Sequence, residues 1–113
     1  MSFASAKDPD WNNKHKNKST MEVIVPSLFD HYEKWSSKPW KKRGKDYEDF
    51  KESLSQRIIS SIYAHCPNLN GEISYYELST PLSTKSMANY EKGELYGIDH
   101  NPQRFEQQWL KPK

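Results

Sequence analysis

The recurrence of Tyr47, Phe50, Leu54, Ile58 and Ile62 at steps of three or four residues constrains this chain more than any other feature. That spacing puts five apolar side chains on one stripe of an α-helix, and it predicts a helix over 46–65. Lys51, Glu52, Ser55 and Gln56 fall on the opposite side. Asp46 is placed to cap the helix, and Glu48 and Asp49 complement the positive end of its dipole. Pro67, followed by Asn68-Leu69-Asn70-Gly71, stops it and turns the chain. The apolar stripe needs a surface to cover it, and two β-prone stretches offer one. Residues 20–25 (Thr-Met-Glu-Val-Ile-Val) read as a strand that Pro26 ends, and residues 72–78 read as a second strand stopped by Thr80-Pro81. The expected fold class is therefore α+β, antiparallel strands with a long amphipathic helix packed on one face. Leu28, Tyr32 and Trp35, with Phe29 beside them, predict a shorter helix. Pro102 suits the first turn of a last one over 103–109.

A chain of 113 residues is one domain at most. Its hydrophobic fraction of 34% and mean hydropathy of −1.08 are low for a self-sufficient globule of this size, since small domains bury a smaller share of their surface. Fifteen aromatic residues partly compensate, each able to bury roughly 150–250 Å². With 17 basic and 15 acidic side chains the net charge is +2, too balanced for the basic face of a nucleic-acid-binding domain. The single Cys66 excludes an intramolecular disulfide and any multi-cysteine metal site. No apolar run approaches the roughly 20 residues that span a bilayer, and the N-terminus lacks a signal-peptide core. These features predict a cytoplasmic protein, at most peripheral to a membrane.

Taken singly, the candidate chemical motifs are weak. His15, His31, His65 and His100 lie in four different elements without metal-ligand spacing, so no metal site is expected. Cys66 closes a helix before a proline, and the sequence does not reveal the base and lowered pKa that a catalytic thiol needs. Ser79, Ser83 and Ser86 lack a Gly-x-Ser-x-Gly elbow, and Gly93 and Gly97 lack the preceding Gly-x-Gly of a dinucleotide turn. Trp35, Lys38, Trp40, Lys41, Lys42 and Arg43 outline a basic and aromatic patch of the kind that binds single strands. A solvated loop offsetting the acidic residues of 46–52 explains the same composition.

Four blocks taken in order carry a resemblance that no single motif does. They are Ser5-Ala-Lys-Asp-Pro-Asp-Trp11, Trp40-Lys-Lys-Arg-Gly-Lys-Asp-Tyr47, Tyr76-Glu-Leu-Ser-Thr-Pro-Leu-Ser83 and Gly93-Glu-Leu-Tyr-Gly97, with the segment 101–112 following. Together they resemble the retinol saturase branch of the phytoene desaturase and carotenoid isomerase-like FAD-dependent oxidoreductases. The resemblance implies that residues 1–113 are a single partial domain, a late piece of the substrate domain of a two-domain FAD oxidoreductase. It further implies a parent that carries FAD and acts on a hydrophobic polyene, by saturation, desaturation or isomerisation. The missing FAD-binding segments would be this piece's partners, and no flavin is expected on the chain alone. The same resemblance brings Thr80, Pro81, Tyr96 and Gly97 nearest the flavin and substrate, and it assigns no catalytic residue. Where relatives carry a Tyr-Thr-Gly-like sequence this chain has Asn89-Tyr90-Glu91-Lys92, which removes support for a role of Tyr90. The alternative is a small stand-alone interaction protein that binds nucleic acid or an acidic partner through the patch from Trp35 to Arg43.

Overall fold

The computed structural model describes residues 1–95 and 101–110. Its dominant element is the helix α2, Lys45–His65, which follows two short N-terminal turns (a 3-10 turn at Ala4–Ala6 and α1, Trp11–Lys14) and a 3-10 helix at Phe29–Trp35. A 3-10 turn at Pro67–Leu69 reverses the chain, and α3 (Pro81–Ala88) and α4 (Pro102–Glu106) complete the regular elements, with a last 3-10 turn at Gln108–Leu110. The helix expected over 46–65 is thus present. It starts one residue earlier because Gly44, at φ 93°, supplies the turn that leads into it. Asp46 sits inside the first turn rather than capping it, and the Trp35 indole N–H donates to its carboxylate at 2.7 Å. Cys66 leaves the helical region ahead of Pro67, where the helix was expected to stop.

The α+β expectation is not met. Among the described residues there is no strand and no sheet, and the antiparallel strands meant to carry the long helix are absent. Residues 20–25 contribute only an isolated antiparallel bridge between Ser2 and Glu22, each N–H donating to the other's carbonyl at 2.7 Å. Residues 73–79 have no regular secondary structure and pair with no strand. Both stretches have β-branched and aromatic composition, but that composition reports a fit to a pleated, half-buried surface rather than a backbone preference. Without neighbouring strands the composition has nothing to act on. The 73–79 segment is instead tied to the side of α2 by the Tyr76 side chain. The Tyr76 hydroxyl donates to Glu52 at 2.6 Å and accepts from Gln56 at 3.1 Å.

In place of a helix on a sheet, the core is an aromatic cluster at the N-terminal end of α2. Tyr32 and Trp35 from the 3-10 helix, Tyr47 from α2 and Leu82 from α3 are buried together, with Phe29, Phe50 and Leu54 packed around them. Trp35 meets Tyr47 and Phe50 with ring centroids 5.3 and 5.2 Å apart, and Tyr32 meets Phe50 edge-on at 5.6 Å. The stripe reading is right at Tyr47 and Ile62, which are buried, and partly right at Phe50, Leu54 and Ile58, which are half-buried. Ser55, expected on the solvent side, is buried, and its hydroxyl donates back to the Lys51 carbonyl at 2.9 Å. The rest of the molecule is open. Its radius of gyration is 18.1 Å, against roughly 13 Å for a compact domain of this length.

Leu82 is fully buried, so Leu82→Ala is expected to cost about 2–5 kcal/mol. The half-buried Leu54 has less to lose, and Leu54→Ala should cost less than Leu82→Ala in paired urea melts. Equal losses would place the core further along α2 than the aromatic cluster does.

Candidate functional site

Thr80-Pro81 does not end a strand and release a loop, as the sequence suggests. It starts a helix. Thr80 is the N-cap of α3, with extended backbone (φ −112°, ψ 170°), and Pro81 occupies the first helical position, where its fixed φ is helical and its missing N–H costs nothing. The Ser83 hydroxyl accepts from the Thr80 N–H at 3.2 Å, the return arm of a capping box. Ser83 and Thr84 donate their own N–H groups to the Thr80 carbonyl at 2.8 and 3.3 Å. Thr80-Pro81-Leu82-Ser83 is a helix-start pattern, so this signal was present in the sequence and pointed away from a loop. At the other end Asn89 adopts the left-handed conformation, φ 57°, that terminates the helix.

Two polar contacts lock α3 to the start of α2. The Tyr47 and Thr80 hydroxyls are hydrogen-bonded at 2.7 Å and both residues are buried. Arg43 is 4% exposed, and its Nη2 donates to the Leu82 carbonyl at 3.3 Å and to the Ser86 hydroxyl at 2.7 Å. Its guanidinium lies over the Tyr47 ring, 5.4 Å from the centroid, and its Nε has no hydrogen-bond partner. No carboxylate of the described residues is within ion-pair distance of it. Nothing in the local sequence marks Arg43 as buried, because it sits in a run of lysines that are solvated.

The basic and aromatic patch therefore separates into an inside and an outside. Trp35 and Arg43 are buried, whereas Trp40, Lys41 and Lys42 remain exposed. Of the residues expected nearest a flavin, Thr80 and Pro81 are brought together at the α3 cap, and Tyr96 and Gly97 lie outside the described residues. Gly93 makes a close backbone approach to Pro81. A Cβ built at position 93 would stand 2.6 Å from the Pro81 carbonyl carbon.

These contacts bear on whether the described residues could hold FAD. A flavin pyrophosphate rests on free N–H groups at a helix start that the backbone can approach closely. At α3 the first position is proline, the Ser83 and Thr84 N–H groups are engaged by the Thr80 carbonyl, the Thr80 hydroxyl is taken by Tyr47, and Gly93 backs onto Pro81. The start of α3 does not fit that group. Among them no cluster of His, Cys, Asp or Glu is arranged to hold a metal ion, and no helix is long and apolar enough to cross a membrane.

Three hydrogen-bonded carboxylates shape the response to pH: Asp10, held low by Asn13 and then Lys14, and two on α2. The Trp35 indole holds the Asp46 carboxyl below its ordinary value, and the Tyr76 hydroxyl, with Gln56 second, does the same for Glu52. Glu52 in turn pushes the Tyr76 phenol up. A depressed carboxyl contributes stability that is present above its unfolded pKa and lost as pH falls through the folded one. Asp46 and Glu52 thus weaken the fold in acid below the ordinary carboxylate range. The raised Tyr76 works in the opposite sense: its contribution is present below the unfolded phenol pKa near 10.0 and lost as alkaline pH passes the folded one. Glu52→Gln is expected to move the Tyr76 phenol titration to lower pH, read as the tyrosinate absorbance that Tyr76→Phe removes; an unchanged titration would separate Tyr76 from Glu52.

Gly71 and Gly93 give a matched pair of left-handed positions. Gly71 at φ 80° has open space around its Cβ site, so Gly71→Ala should cost only backbone strain, about 1–2 kcal/mol. Gly93→Ala adds the collision with Pro81 and should cost measurably more in the same urea melts. Equal losses would mean that the Gly93–Pro81 contact yields freely.

Comparison with known proteins places this geometry in context. No protein-family model matches the chain, and no solved structure matches it. The all-trans-retinol 13,14-reductase of Rattus norvegicus is 35% identical over 103 residues, which covers 91% of this chain and 17% of the relative. The protein of the same name from Homo sapiens is 33% identical over 99 residues, 88% of this chain and 16% of the relative. A Danio rerio protein described as an inactive all-trans-retinol 13,14-reductase is 23% identical over 109 residues. The chain spans about one sixth of the length of the curated relatives it matches. Nearly all of this chain is thus related to one segment of the all-trans-retinol 13,14-reductases, a retinol saturase-like relation.

Proposed function

We propose that this chain is the α2–α3 segment of an FAD-dependent oxidoreductase acting on conjugated retinoid-like double bonds, and that it serves there as a positioning scaffold rather than as the flavin cradle. The observation that carries this reading is the 35% identity to a reductase of all-trans-retinol across 91% of the chain. The open shape supports it. Tyr75, Met87, Leu95, Phe105 and Trp109 are all more than 60% exposed, which is costly for a domain that folds alone and ordinary for a surface covered by the rest of a larger protein. The α3 cap adds a further argument. Thr80 is held by Tyr47, Leu82 by Arg43, and Pro81 lies against Gly93, so in the larger protein the cap would fix the direction in which the chain enters the segment of Tyr96 and Gly97. Binding the flavin and supplying the redox chemistry then fall to other segments of that protein, and a polyene substrate would lie against the Tyr96–Gly97 side.

The test compares the 113-residue chain with the longest natural polypeptide that contains it. The longer polypeptide should carry the yellow flavin absorbance and turn over a retinoid double bond. The 113-residue chain should show neither, with a melting temperature unmoved by excess FAD. Gly97→Val in the longer polypeptide should cut turnover at least tenfold with little change in melting temperature. Stoichiometric flavin on the short chain, or a longer polypeptide without retinoid turnover, would overturn the reading.

A further inference from the structure

The turn that carries the chain from α2 into the 73–79 segment has a reactive composition. Asn70 (φ −61°, ψ 119°) and Gly71 (φ 80°) follow the 3-10 turn at Pro67–Leu69, and the Glu72 N–H donates to the Leu69 carbonyl at 3.0 Å. Asn70 and Gly71 are thus the central residues of a type II turn over 69–72, whose third position needs a positive φ and takes glycine. Both are exposed, and nothing lies within 4 Å of the Cβ site of Gly71. Among the described residues neither the Asn70 side-chain amide nor the Gly71 N–H has a hydrogen-bond partner. An unhindered, solvated backbone nitrogen therefore follows a free carboxamide, an arrangement that closes a five-membered ring within one molecule.

The other six of the chain's seven asparagines each lack part of this arrangement. The N–H groups that follow Asn12, Asn17 and Asn68 donate to the carbonyls of Asp10, His15 and Cys66 at 3.2, 3.2 and 3.0 Å. The Asn13 side-chain amide donates to the Asp10 carboxylate at 3.0 Å. Asn89 is followed by the bulky Tyr90, and Asn101 by Pro102, which has no N–H.

We propose that Asn70 is a self-modification site of this chain, converting to isoaspartate and aspartate at a rate gated by the 69–72 turn. The Gly71 nitrogen gives its proton to solvent base and bonds to the Asn70 Cγ. The Cγ–Nδ2 bond breaks, and the side-chain nitrogen takes up a proton and leaves as ammonia. Water then opens the cyclic imide at Cγ, giving aspartate, or at the main-chain carbonyl, giving isoaspartate. No oxidant or reductant is needed. Either product carries a new carboxylate, which lowers the net charge of +2 by one. Isoaspartate also routes the main chain through the side-chain methylene, and it is the acceptor for carboxyl methyltransferases that use S-adenosylmethionine, the partner class this site fits. At ψ 119° the Gly71 nitrogen is turned away from the Asn70 side chain, so the ring closes only when the turn opens and the Leu69–Glu72 hydrogen bond is released. This inference rests on the turn alone and stands apart from the oxidoreductase reading.

Incubation of the 113-residue chain at neutral and at mildly alkaline pH tests it, with methyl transfer from S-adenosylmethionine by an isoaspartyl methyltransferase and peptide mapping as readouts. Methyl acceptance should appear first at position 70, and faster at the higher pH, where the attacking nitrogen loses its proton more readily. An acidic shift on isoelectric focusing should accompany it. Asn70→Gln keeps a carboxamide at this exposed position but requires a six-membered ring, so it should abolish the signal while far-ultraviolet circular dichroism stays unchanged. A peptide of residues 67–73, free of the fold, should react faster than the chain. Isoaspartate arising first at another asparagine, undiminished methyl acceptance in Asn70→Gln, or a peptide that reacts no faster than the chain would each overturn the proposal.

Discussion

The buried guanidinium of Arg43 is the interaction on which the arrangement of this chain depends. It crosses from the turn before α2 to the Leu82 carbonyl and the Ser86 hydroxyl on α3, elements separated by about forty residues of sequence. Burying a charge is costly unless its hydrogen-bonding groups are met. Here carbonyl, hydroxyl and the face of Tyr47 meet part of that demand, while Nε is left over. The Tyr47–Thr80 hydroxyl pair lies alongside and shares the same buried region. Together they fix how α3 leaves the core, which apolar packing around a single fully buried leucine would specify less sharply.

Around that polar lock the apolar core is small and almost wholly aromatic. Tyr32, Trp35, Tyr47 and Phe50 supply area that a chain of such low hydropathy cannot draw from aliphatic residues, and the Tyr and Trp polar groups find partners in Ser27, Asp46 and Thr80. The cluster sits at one end of α2. Further along that helix Ile62 is buried outside the cluster, and the 73–79 segment is tied to Glu52 and Gln56 by the Tyr76 hydroxyl. That contrast explains how a 21-residue helix coexists with a radius of gyration well above that of a compact domain.

The long helix was legible because it depends on local information: period, a glycine-led start and a proline stop all lie within or beside residues 45–65. The two strands were misread because β composition acquires meaning only from neighbours, and the described residues supply one bridge, between Ser2 and Glu22. At Thr80-Pro81 the information was present but taken with the wrong polarity, since a proline that ends one element equally opens another, and Ser83 three residues on favours the second. The relation to retinol saturases was readable from ordered blocks, and similarity across most of the chain supports it. Arg43 could not be read at all. Its burial is produced by α3, far away in sequence, and a lysine-rich neighbourhood describes the surface it leaves rather than the core it enters.

Gly93 lets the segment after α3 fold back until its backbone touches that of Pro81, with no side chain between them. Every single-base change in a glycine codon that alters the amino acid and does not stop translation installs a β-carbon. A β-carbon at position 93 is therefore accommodated only if the Pro81 turn moves with it, so the two positions are sterically coupled although twelve residues apart in the chain.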